Sequence, residues 1–237
     1  MKTSARGSIC RGPICIFAVC ILLLVGCESK PLPVPIQRPA GDGFCKLNDE
    51  MLQRYAVAIN VLGESSSSGV ATLIGHKVYI ITNRHNLPVE PKLENIKFRN
   101  HLYQYSAATA VVTMGRDYAD EGGLGPARDY AVLAVETPSI FAPLPLHPGR
   151  HQGSVVVPSY ASRLYEVGRG VQWFTDNRFD RLDFSLAKGA SGAPVISCRG
   201  EVVGLYTALI RPEDYNRTGF KGISTPILVV VRDLTGN

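Results

Sequence analysis

"KVYIITNRH", residues 77–85, is the stretch on which the fold turns. Lys77 and five residues of apolar, β-branched and aromatic character are closed at one end by "GH" and at the other by asparagine, which is the signature of a short strand rather than a helix. The strand delivers His85 to a loop at the edge of a sheet. Working outward, the same texture recurs from about residue 44 onward. "YAVAINVL" (55–62), "GVATLIG" (69–75), "DYAVLAVE" (129–136), "SVVVPSY" (154–160), "APVIS" (193–197) and "EVVGLYTALI" (201–210) all read as strands. Gly, Pro, Asn and Asp punctuate them. Helical periodicity is scarce, and "TPILVVVRDL" (225–234) suits a closing helix or a strand equally well. Many short strands without a fixed repeat predict an all-β domain, a sandwich or a barrel.

The first 26 residues belong to something else. Lys2, Arg6 and Arg11 precede the apolar run "ICIFAVCILLLVGC", residues 14–27. A basic start, about a dozen apolar residues and a small-residue site make an export signal, and the run is shorter than the roughly 20 residues of a spanning helix. Its last four residues, "LVGC", resemble the lipobox of bacterial lipoproteins. That resemblance implies that Cys27 is diacylated and becomes the new N-terminus. Glu28 after it implies outer-membrane rather than inner-membrane retention. Two or more acyl chains hold a protein firmly on a bilayer. Residues 27–43 then contain four prolines (31, 33, 35 and 39) and no apolar period, the composition of a semi-rigid spacer.

Maturation changes what the composition means. The formal charge of +5 loses three basic residues with the signal, which leaves +2 and gives no reason to expect nucleic acid. Cys10, Cys15 and Cys20 leave with it, and Cys27 takes lipid. Cys45 and Cys198 remain, either as one bridge in an oxidising periplasm or as two isolated thiols. Neither a CxxC pair nor a histidine cluster at ligand spacing is present, so no metal and no cofactor is expected.

Chemistry enters at "KGASGAPVIS", residues 188–197. Glycines at 189 and 192 around Ser191 make either a flexible loop or a loop that exposes a hydroxyl while backbone N–H groups converge on one oxygen. Two partners point to the second. His85 ends one strand, and Asp129 opens another, where a carboxylate can be desolvated and can orient an imidazole.

Three local matches in the order His, Asp, Ser resemble the trypsin/chymotrypsin-like family, especially its bacterial secreted and periplasmic members. "VYIITNRH" looks like the family's strand ending in its histidine, "RDYAVLAV" its Asp-plus-apolar segment, and "GASGAP" its Gly-x-Ser-Gly-Gly-Pro loop. The resemblance implies two packed antiparallel six-stranded β-barrels, roughly residues 44–138 and 139–237, with His85, Asp129 and Ser191 in the cleft between them. It also implies an oxyanion hole made by the N–H groups of Gly189 and Ser191. Three departures stand out. Ala190 replaces the zymogen aspartate, which removes that activation switch. Ala193 replaces a second glycine, and Arg84 replaces a small residue and is expected to point outward.

Counting back from Ser191 puts the pocket floor near Ser185, where no acid favours Lys or Arg substrates. Thr207 is expected near the buried aspartate, and Ala208 and Leu209 along the pocket. Asp117 and Asp120 read as surface charges, His76 as a turn residue, and His101, His147 and His151 lack partner motifs. Two functions follow as expectations. The first is a lipid-anchored serine endopeptidase acting on envelope proteins or peptides, with an esterase or other acyl transfer as a minor variant. The second is an inactive lipoprotein of the same fold that binds peptides. Oligomeric state is not encoded in any motif.

Overall fold

The computed structural model describes residues 48–62, 66–115, 128–161, 164–175, 179–210, 212 and 218–236. The signal, Cys27, the proline-rich spacer, Cys45, Asp117 and Asp120 lie outside them. Among the described residues, no helix is long and apolar enough to cross a membrane.

The chain enters through helix α1 (Asp49–Tyr55), whose first turn is capped by the Asn48 side chain accepting the Glu50 N–H at 2.9 Å. The stretch 55–62 therefore divides: Tyr55 closes the helix, and β1 (Ala56–Val61) follows at once. Next come β2 (Ser67–Ile74), β3 (Lys77–Thr82), β4 (Ile96–Arg99), β5 (Tyr105–Met114) and β6 (Ala131–Val135). They close into a barrel in the order β1-β2-β3-β6-β5-β4. A second closed barrel runs β7-β8-β9-β12-β11-β10. Its strands are β7 (Gly153–Ala161), β8 (Leu164–Trp173), β9 (Asp180–Leu182), β10 (Pro194–Ser197), β11 (Val202–Leu209) and β12 (Gly222–Pro226). Every strand pair is antiparallel.

Each barrel has its own apolar centre. Ile59, Ile80, Phe98 and Leu133 fill the first; Val155, Val157, Leu182 and Val195 fill the second. A third cluster joins them, with Val70, Ile81 and Val132 from the first barrel meeting Val156, Ile196 and Leu205 from the second. Leu52 of α1 and Ile227 and Val230 of the closing helix α2 (Ile227–Thr235) complete it. The segment between barrels is stitched to both. Leu144 N–H donates to Ala71 O at 2.9 Å and Thr72 Oγ1 donates to Leu144 O at 2.8 Å, while His147 N–H donates to Val202 O at 2.9 Å. The two barrels are thereby held as parts of one body, and the groove between them has fixed walls.

Candidate active site

β3 and β6 are neighbours in the first barrel, and their ends carry the histidine and the aspartate. After Thr82 the chain leaves the sheet at Asn83 and makes one turn of 3₁₀ helix over Arg84–Asn86, which lifts His85 over the segment that leads into β6. His85 Nδ1 lies 2.6 Å from Asp129 Oδ2, and the His85 backbone N–H donates to Asp129 Oδ1 at 3.0 Å. Both carboxylate oxygens thus serve one residue. The Asp129 side chain is fully buried and the His85 side chain is a quarter exposed, so the imidazole offers its other nitrogen to the cleft. A carboxylate bound at Nδ1 fixes the tautomer in which Nε2 is the base.

The backbone around Asp129 is held from both barrels. Asn83, with no exposed surface, donates from Nδ2 to Asp129 O at 2.6 Å and lies 3.2 Å and 3.3 Å from the hydroxyls of Thr207 and Thr225. Thr225 Oγ1 also donates to Asp129 O at 3.2 Å. On the outer side, Arg128 and Tyr130 both reach Asp233 of α2. Burial and the Asp233 carboxylate raise the Tyr130 hydroxyl well above the ordinary tyrosine range, so it stays a donor. Arg84 does not point outward as its position suggested. Its guanidinium folds back to the carbonyls of Leu87, Pro88 and Val89 at 2.7–3.0 Å and ties down the loop that follows the histidine.

Ser191 arrives from the second barrel. Ala190 N–H donates to Ala187 O at 3.2 Å, closing a turn through Lys188 and Gly189, and Gly189 holds φ at +97°, which a side chain would resist. Ser68 N–H and Asn86 Nδ2 both bind Ser191 O, at 3.0 Å and 2.8 Å. Gly192 (φ +87°) passes so close to the first barrel that a Cβ would lie 2.1 Å from Ser68 O and 2.3 Å from Thr82 Oγ1. The second glycine is thus a seam between the barrels. Among the described residues, neither the Gly189 nor the Ser191 N–H has a backbone acceptor, although their neighbours at 190, 192 and 193 do. The Ser191 hydroxyl donates to Thr207 O at 2.9 Å, and no bond to His85 is formed.

His85 and Ser191 face one cleft of about 360 Å³, walled by Leu186–Gly189 on one side and Tyr206–Leu209 on the other. Thr207, Ala208 and Leu209 all line it. Ser185 does not: it is exposed, because the chain turns inward only at Leu186. Thr207 sits beside Asp129 through the Asn83–Thr225 network, not by a bond to the carboxylate. Sequence reading missed Asn83, Asn86, Ser68 and Thr225; only Asn83 and Asn86, on either side of "RH", carried a local signal. His147 has a partner after all, with Nδ1 3.2 Å from Glu201 Oε2, but lines no part of the cleft. Trp173 packs on Phe220, its ring centroid 5.3 Å away.

The sequence profile of the trypsin-like peptidase domain matches residues 68–205. No curated protein matches the chain. Among solved structures, a serine endoprotease from Yersinia pestis is similar with a TM-score of 0.59 and 23% identity, over 78% of this chain and 62% of that one. The Rv3671c protease in its inactive form is similar with a TM-score of 0.55 and 18% identity, over 79% of this chain and 90% of that one. This chain therefore spans less than two thirds of the length of the Yersinia protein. At these identities the likeness is one of fold, two closed barrels with a cleft between them.

Proposed function

The chain belongs to the trypsin-like peptidase family, and from that premise we propose that it is a serine endopeptidase with Ser191 as nucleophile, His85 as base and Asp129 as the group that orients and stabilises the imidazolium. The observation that carries this reading is the buried carboxylate held at 2.6 Å from His85 Nδ1 in the same cleft as Ser191. His85 Nε2 takes the hydroxyl proton as Ser191 Oγ attacks a peptide carbonyl. The oxyanion receives the unengaged N–H groups of Gly189 and Ser191, where losing one donor costs about a hundred- to a thousand-fold in rate. His85 then gives its proton to the leaving amine, and water repeats the sequence on the acyl group. Before the first step the hydroxyl must rotate away from Thr207 O. A neutral hydrogen bond contributes about 0.5–1.5 kcal/mol net, so the rotation is a small part of any barrier.

The proposal extends to place and anchor. Cys27 takes the lipid, residues 28–43 space the barrels from an outer membrane, and the substrates are envelope proteins or peptides on its periplasmic face. Cys198 is disulfide-bonded; every other cysteine lies in residues 1–47, and we assign Cys45 as its partner. Radiolabelled palmitate persisting on a Cys27→Ser protein would overturn the anchor.

The decisive experiment treats the full chain with a fluorophosphonate probe and reads intact mass, with Ser191→Ala as control. One adduct that disappears in the control is the expected result. No adduct on a folded protein favours a second reading, a peptide-binding lipoprotein of the same fold, for which the hydroxyl bound to Thr207 instead of His85 is the supporting observation.

A further inference from the structure

Across Ser68 from the nucleophile lies a second cavity, of about 330 Å³, lined by Ser66, Lys97, Arg99, Tyr105 and Tyr160. It is cationic and aromatic. Among the described residues neither Lys97 nor Arg99 pairs with a carboxylate. The Arg99 guanidinium instead lies over two tyrosine rings, 4.7 Å from the centroid of Tyr103 and 5.2 Å from that of Tyr160. Its Nε is buried without an acceptor. Tyr103 reaches this position with φ at +60°, in the region non-glycine residues avoid, and backbone held there clusters at ligand sites. A guanidinium packed against tyrosine rings has terminal N–H groups that can take an anion, and a carboxylate fits the guanidinium in two-point contact.

The cavity is mechanically joined to the site. Ser68 Oγ accepts the Tyr160 N–H at 3.0 Å and donates to Gly189 O at 3.4 Å, while Ser68 N–H donates to Ser191 O. Ser66 lies two residues up the chain, about 7 Å along an extended backbone. The cleft walled by Leu186–Gly189 and Tyr206–Leu209 shares no lining residue with this cavity. Ser68, bonded to both Ser191 and Tyr160, is the residue that joins that cleft to the cavity of Lys97 and Arg99.

We propose that this cavity binds a carboxylate of the substrate on the leaving-group side of the bond, about two to four residues beyond it, so that the protein cuts ahead of acidic segments. The proposal rests on the endopeptidase reading for its cleavage test but not for its binding test. The carboxylate can come from an Asp or Glu side chain or from a chain terminus. The test digests a peptide library with the full chain and sequences the products. Enrichment of Asp and Glu at those positions, falling to background in Arg99→Gln and in the exposed Lys97→Gln while fluorophosphonate labelling is unchanged, is the expected outcome. Cuts at a fixed distance from peptide C-termini with no side-chain bias would assign the terminus as the source.

No acidic or terminal bias in the wild type, or a bias that survives in both variants, overturns it. If nothing is cleaved, Ser191→Ala protein is titrated with a labelled, amidated Glu-containing peptide and its Gln twin. At least about tenfold tighter binding of the Glu peptide, lost in Arg99→Gln, keeps the cavity assignment while the protease reading falls. Equal binding of the twins discards the assignment.

Discussion

Replacing Gly192 by alanine adds one methyl group where the serine loop crosses the first barrel. The new Cβ would sit 2.1 Å from Ser68 O, 2.3 Å from Thr82 Oγ1 and 2.9 Å from Asn86 Nδ2. Ordinary C···O contact begins near 3.3 Å, so the loop must retreat by about 1 Å. Retreat breaks the bonds from Ser68 N–H and Asn86 Nδ2 to Ser191 O, each contributing about 1 kcal/mol. The left-handed backbone at φ +87° adds about 1–2 kcal/mol for a residue with a side chain. The expected loss of stability is therefore about 3–4 kcal/mol. The same displacement should slow fluorophosphonate labelling about a hundred-fold, because Ser191 moves with the loop. Guanidinium unfolding and labelling kinetics on one preparation measure both quantities. Gly200→Ala is the control: it shares a positive φ, +78°, but has nothing within 4 Å of its Cβ position, so it should cost about 1 kcal/mol and leave labelling untouched. A Gly192→Ala protein that resembles Gly200→Ala in both measurements would refute the seam.

Two further outcomes are expected. Asn83→Ala removes the 2.6 Å donor to Asp129 O in a fully buried network; unfolding should show a loss of about 2–3 kcal/mol, and labelling should slow as the carboxylate shifts. A loss under about 0.5 kcal/mol would show that Thr225 alone holds the aspartate. In the second barrel, burial pushes the Asp180 carboxyl up to about 7, although the Thr175 N–H and Gln172 bonds pull it down. The folded protein then keeps a proton that the unfolded chain releases near 4. Stability from this group is full below about pH 4 and is lost as pH rises through 7, by on the order of 4 kcal/mol. Asp180→Asn should flatten that slope between pH 4 and 8 in unfolding titrations, and an unchanged slope would assign it to other groups.

Legibility from sequence followed local chemistry. Strands with continuous apolar runs, such as β7 and the second half of β3, declare themselves because both faces are buried. β5 does not: its exposure alternates irregularly and its pairing with β6 shifts register twice, so Ser, Ala and Thr replace a clean period. β9 spans three residues, and β8 is interrupted by Gly168 and Gly170, which stand where the Phe184 ring leaves no room for a Cβ. The closing stretch is ambiguous because its valines, Val229, Val230 and Val231, are equally at home in a strand. Contact with the inter-barrel cluster decides it, as β12 ends at Pro226 and the helix begins at Ile227. In the site, histidine, aspartate and serine announce themselves by their strand-end settings. Their supports do not, since Asn83 meets a threonine 142 residues away and only the fold brings them together.

The helix at residues 227–235 grips Arg128 and Tyr130, on both sides of the aspartate, and packs Ile227 and Val230 between the barrels. A chain made from its N-terminus presents its histidine, aspartate and serine before this helix exists. Its turns act as a latch, because the supports on either side of Asp129 are complete only once residues 227–235 are in place.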